Sequence, residues 1–187
     1  MRYFNIFESK SAPLYHGTDL LLLAAIVQGN FLHKGINWGR PGEPNGPRLT
    51  RNYGTAYSFA NDNEFGMGGV LVLDQMKIAQ RYRIQPYADV DASGERWVNE
   101  FEEVPITSEI GPLNRYLISI NADPAHIQTV MADEDLMGHR CAEASHCISE
   151  TFATYEECHD ALDHLLKHPM LNRMVPRGRD TPLGWRV

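Results

Sequence analysis

Val70-Leu71-Val72-Leu73 has no polar member, and such a run is the mark of a strand buried on both faces. A fold that contains it must cover both sides of a sheet. The longest apolar run, Leu20 to Val27, is a single short helix, far too short to span a bilayer. At 187 residues the chain fits one domain with enough length to bury a core. With 43% apolar and 22% charged residues, composition favours neither disorder nor a membrane protein. Residues Met1 to Lys10 lack the apolar stretch and cleavage site of a secretory signal.

Ahead of that strand, Pro13-Leu14-Tyr15-His16-Gly17-Thr18 delivers a histidine to a glycine turn. Leu14-Tyr15-His16 reads as the end of a buried strand. Gly17 permits a tight backbone approach or a close ligand, and Thr18 or Asp19 can cap a helix over Leu20 to Gln28. Gly29-Asn30 closes that helix. Taken alone, the stretch fits a ligand site and equally a plain turn whose histidine bonds a neighbouring backbone group. Met1 to Ser11 fits a strand or a short docking helix.

Seven glycines and prolines fall within Gly35 to Pro47, which excludes a regular element there and makes Trp38 and Arg40 candidate residues of a binding loop. Arg48 to Asn52 predicts a short strand and Tyr53 to Asn61 a helix bearing Tyr57 and Phe59. Gly66, Gly68 and Gly69 precede a strand and lack a following Lys-Ser/Thr, so they do not form a phosphate loop. Asp74 caps a helix through Gln80, and Tyr82 to Tyr87 is extended. Asp89 to Glu95 is turn-rich.

The second concentration of chemistry is Glu100-Phe101-Glu102-Glu103, on an extended segment that Pro105 marks as an edge or an end of pairing. By strand alternation Glu100 and Glu102 share one face and Glu103 takes the other. Asn114 to Ile120 predicts an alternating strand that ends at Asp123-Pro124. From there the pattern turns helical, over Ala132 to Ile148 and Thr154 to Lys167, and Pro169 to Val187 reads as irregular.

Three cysteines, Cys141, Cys147 and Cys158, lie in the last third, and an odd, clustered count argues for free thiols and a reducing compartment. With His139, His146 and His159 they do not form a zinc site: knuckle spacing is absent, and adjacent His-Cys pairs on a helix point about 100° apart. The net charge of −7 opposes a general basic field for nucleic acid, although Arg173, Arg177, Arg179 and Arg186 cluster at the end.

In their order and intervals, Tyr15-His16-Gly17-Thr18, Leu49-Thr50-Arg51-Asn52 with the Tyr57 helix, and the strand through Glu102-Glu103 resemble the ADP-ribosyltransferase superfamily, of the polymerase and diphtheria-toxin type. Small phage and bacterial members are the nearest in pattern. The resemblance runs from Pro13 to Ile120. It implies an α/β (α+β) fold with a split mixed or antiparallel sheet, flanking helices and a helical C-terminal extension. Residues 1–124 would form the NAD-binding domain, and 125–187 a helical extension with an Arg-rich tail packed on it. NAD would be the substrate, with no metal.

Residue by residue, the resemblance implies that His16 holds the nicotinamide ribose hydroxyl and Gly17 backbone groups bond the carboxamide. Tyr57, with Trp38, would stack on the ring, and Tyr15, Thr18, Thr50 and Arg51 would line the pocket, Arg51 reaching a phosphate oxygen. A glutamate would stabilise the charge that develops as nicotinamide leaves, Glu102 first and Glu103 second, while Glu100-x-Glu102 also matches arginine-modifying transferases. The activity implied is mono-ADP-ribosyl transfer to a protein or nucleic-acid acceptor. Alternatives are an NAD glycohydrolase, an RNA 2′-phosphotransferase-like enzyme, and a non-catalytic nucleotide-binding or virion interaction protein. Phe4-Asn5-Ile6-Phe7-Glu8-Ser9 resembles leaders of some phage proteins, which implies action in the host cytoplasm or packaging in a virion.

Overall fold

The computed structural model describes residues 12–34, 46–61, 66–90, 96–105, 107–138 and 154–173, the side chains of 86–90, 96–105 and 173 excepted. It is a mixed α/β fold. The run Val70 to Leu73 lies in β4 (Gly68–Leu73), buried along its whole length. β1 (Leu14–Asp19) pairs antiparallel with it on one side, and β8 (Leu117–Ala122) on the other. The sheet continues outward to β3 (Leu49–Thr50), β6 (Arg96–Pro105) and β5 (Ile84–Val90) past β1, and to β9 (Leu171–Arg173) past β8. β9 alone runs parallel to its neighbour, which makes this seven-stranded sheet mixed. A separate ribbon joins β2 (Leu32–His33) to β7 (Glu109–Ile110).

The two faces of β4 meet different partners. Leu71 and Leu73 enter the main core with Leu20, Leu21, Leu23 and Ala24 of α1 (Leu20–Gly29) and Cys158, Ala161, Leu162 and Leu165 of α5 (Tyr155–Leu166). Val70 belongs to a smaller cluster with Ala56 and Ala60 of α2 (Tyr53–Asn61). Burying a leucine is worth roughly 1.5–3 kcal/mol, so the α1–α5 side supplies most of the cohesion.

Local chemistry sets the helix ends. Of the two expected caps, Asp19 takes the role, its Oδ1 accepting from Leu21 N at 2.8 Å. Asn30 closes α1 in the left-handed conformation. Asp74 caps α3 (Gln75–Arg81), and Asp123 caps α4 (Pro124–Ala132), where Pro124 fills the first turn at no cost in hydrogen bonds. Thr154 and Glu157 form a reciprocal capping box on α5.

Four expectations are corrected. Asn114 to Tyr116 is not strand: Leu113–Arg115 forms a 3₁₀ turn, pinned by bonds from Leu113 N to Asn30 O and from Asn114 N to Asn30 Oδ1. The helix expected from Ala132 begins earlier, as α4, breaks at Asp133, and resumes over 134–138. The segment after Pro169 is not wholly irregular, because Leu171 to Arg173 adds β9 to the sheet. Lastly, Cys158 is fully buried and disulfide-bonded. An odd cysteine count excludes complete pairing, not a single bridge, so the ground for a reducing compartment is gone. Thiol titration of the unfolded, unreduced protein is expected to give one free thiol per chain, against three after reduction; three before reduction would remove the bridge.

Among the described residues no helix is long and apolar enough to cross a membrane, and no group of three or more His, Cys, Asp or Glu could hold a metal ion. His139, Cys141, His146 and Cys147 lie outside them, as do Met1 to Ser11, Trp38 and Arg40.

Candidate functional site

β1 is held unequally by its two neighbours. All six of its residues pair with β4, whereas Tyr15–Thr50 is the one register pair described between β1 and β3. Past Tyr15 the sheet therefore parts, and His16 and Gly17 stand at the parting.

His16 is half-buried, with Nδ1 2.9 Å from Arg48 O. A carbonyl only accepts, so Nδ1 carries the proton and neutral His16 keeps its lone pair on Nε2. Both sequence readings thus meet in one residue: the ring is tied to backbone, and the tie leaves an acceptor. Burial pushes its pKa below the usual value, outweighing the Arg48 carbonyl, which acts upward. The unfolded chain then binds this proton more readily than the folded one. The corresponding stability is complete above the unfolded value, about 6.5, and is lost as pH falls through it toward the lowered value. The melting temperature is expected to fall on acidification below about pH 6.5, less steeply in His16→Gln; equal slopes would show that His16 does not titrate there.

Gly17 resolves the other open choice in favour of backbone. A Cβ there would lie 1.7 Å from Ala56 O, and one at Gly68 would lie 1.8 Å from Ala60 O. α2 therefore rests its own carbonyls on β1 and β4. Thr18 lies half-buried opposite Gly69.

The stretch before α2 is a positioning device. Thr50, 4% exposed, accepts at Oγ1 from Asn52 N (3.0 Å). Asn52 caps the helix, its Oδ1 accepting from Gly54 N (2.8 Å) and Thr55 N (3.4 Å). In the amide orientation that its neighbours dictate, Gln75 donates to Ala12 O and accepts from Arg51 Nη2, each at 3.0 Å. Thr50 and Gln75 are the two buried polar side chains among the described residues, and they flank Arg51. Thr50 and Arg51, expected in the pocket, thus fasten the exit of β3 to α2 and α3. Asn52→Ala is expected to cost about 1 kcal/mol, read as a lower urea midpoint at constant m. An unchanged midpoint would discount the cap.

α2 carries its tyrosines into an aromatic group over β1. Tyr15 and Tyr53 meet edge to face, with ring centroids 5.3 Å apart and planes at 87°. Tyr57 lies 6.5 Å from Tyr53 at 32°. Tyr53 was missed in the sequence, although its spacing of four from Tyr57 is a one-face helical signal. Its contact with Tyr15 is not readable without the fold. Phe59, the other aromatic expected on this helix, is 49% exposed.

Of the glutamates the structure describes backbone register. Glu102 pairs with Thr50 and Glu103 with Leu49, so Tyr15, Thr50 and Glu102 form one row across three strands. Extending the antiparallel ladder by one residue puts His16, Leu49 and Glu103 in the next row. Glu100 lies on β6 two residues beyond Glu102, level with residues past the end of β3. No protein-family model, curated protein or solved structure matches this chain.

Proposed function

We propose that the protein is a mono-ADP-ribosyltransferase that cleaves NAD at the nicotinamide–ribose bond and transfers ADP-ribose to a macromolecular acceptor, on a split-sheet domain of that superfamily. The observation that carries this reading is the parting of β1 from β3 beside His16-Gly17, with Glu102 and Glu103 two strands away and level with it.

In this mechanism the half-buried His16 Nε2 accepts a hydrogen bond from a hydroxyl of the nicotinamide ribose. Neutral imidazole suits that task, because an imidazolium would repel the cationic substrate and the charge that forms. Gly17 backbone groups on the β3 side of β1 bond the carboxamide. Tyr53 and Tyr57 stand with Tyr15 on the α2 face, opposite the His16 row, and supply ring surface for nicotinamide where it passes through the parting between β1 and β3, its positive ring gaining from aromatic faces.

The glycosidic electron pair leaves with nicotinamide, which departs neutral, and positive charge develops on the ribose. Glu103 stabilises it. Alternation assigns adjacent rows to opposite faces, and the row shared with His16 is that of Glu103. We therefore rank Glu103 ahead of Glu102, reversing the order that sequence favours, and place Glu100 last. The acceptor nucleophile then attacks the anomeric carbon and loses its proton.

The test is nicotinamide release from NAD by the purified chain, alone and with cell extract plus labelled NAD. Label on a macromolecule supports transfer. Release without label supports the glycohydrolase alternative, and neither would leave a nucleotide-binding or virion interaction module as the better account. The 2′-phosphotransferase alternative is disfavoured by the net charge of −7, since RNA binding draws on a basic surface.

A further inference from the structure

We propose that Asn121, on β8 and two strands from His16, is a positioning residue that sets the attitude of the Tyr53 ring and through it the affinity for the aromatic group of the substrate. This rests on the NAD reading above and adds to it a residue outside the sequence motifs.

Asn121 is part-buried at the end of a row whose other members pack beneath α2. It pairs with Val70, which in turn pairs with Gly17, so Gly17, Val70 and Asn121 form one row beneath α2. Val70 is fully buried there with Ala56 and Ala60. An amide at the end of such a row costs desolvation unless both of its ends are bonded. Both are. Nδ2 donates to Tyr53 Oη at 3.4 Å, and Oδ1 accepts from Ser119 Oγ at 3.2 Å.

Tyr53 is the ring to which the other two are referred. It stands edge-on to Tyr15 and inclined by 32° to Tyr57, so a turn of Tyr53 alters both contacts. Its ring is held at one end by its place at the start of α2, and at the phenol end by Asn121. With Ser119 Oγ donating to Oδ1, the amide presents its N–H to the phenol. The relay Ser119–Asn121–Tyr53 thus links β8 to a group over β1.

The experiment compares Asn121→Ala, Tyr53→Phe and the double variant by steady-state nicotinamide release and by near-ultraviolet circular dichroism. Each single change is expected to raise KM about three- to tenfold with kcat nearly kept, the factor that one net hydrogen bond is worth. The double variant should be no worse than either single one, because both remove the same bond. Asn121→Asp should recover most of the affinity, since a carboxylate can accept from the phenol. The tyrosine band should change alike in both single variants.

A fall in kcat matching a fall in melting temperature, or additive effects in the double variant, would overturn the proposal in favour of plain packing. If the parent chain releases no nicotinamide, the NAD reading fails by itself. The relay is then judged by the tyrosine band, and an unchanged band in Asn121→Ala ends it.

Discussion

Glu103→Gln is expected to cut nicotinamide release by about 10²–10³-fold with little change in KM, while Glu102→Gln keeps most of the activity. The amide preserves shape and removes the charge that opposes the developing cation, so the loss belongs to kcat. The forecast follows from register: Glu103 pairs with Leu49, and one residue past the Tyr15–Thr50 pair, where the β1–β3 ladder has ended, that row lies level with His16. Glu102 instead continues the Tyr15–Thr50 row, next to the side chain that serves the turn into α2. A dead Glu102→Gln beside an active Glu103→Gln would mean that the ladder slips between Tyr15 and His16, and the assignment would revert.

The second large effect concerns Gly17. Its missing Cβ is where Ala56 O sits, 1.7 Å away, and a helix carbonyl cannot swing aside as a side-chain tip does. Gly17→Ala therefore has to lift α2 from the sheet, at a cost on the order of 3 kcal/mol or more in overpacking, together with displacement of Tyr53 and Tyr57. Gly68→Ala should behave alike, since it meets Ala60 O at 1.8 Å. Gly29→Ala serves as the control: nothing lies within 4 Å of its added methyl, and stability should stay level or rise slightly. Urea unfolding measures all three, and parental stability in Gly17→Ala would refute the close contact.

Much of the fold can be read locally. Val70 to Leu73, the Asp19 and Asp74 caps, and Tyr53 to Asn61 each contain their own cause within a few residues, and the structure repeats them nearly residue for residue. What the sequence conceals depends on partners far along the chain. Asn114 to Tyr116 alternates like a strand, yet Asn30, 84 residues before Asn114, holds the turn there. Leu171 to Arg173 is too short to announce itself and becomes β9 because β8 offers a free edge. For the site, His16 and Tyr57 are legible as residue types in motifs. Thr50 and Arg51 are legible as residue types too, while their bonds to Asn52 and Gln75 come only with the fold. Asn121 carries no local signal of its bond to Tyr53, 68 residues away along the chain.

The single rung between Tyr15 and Thr50 has a mechanical consequence. β3 brings β6 and β5 with it, so the outer three strands meet β1 through this rung, the bond of His16 Nδ1 to Arg48 O and the tie of Arg51 to Gln75. A few side chains carry here the load that a continuous ladder carries between β1 and β4, so a substitution at one of them is felt directly at the His16–Glu103 row.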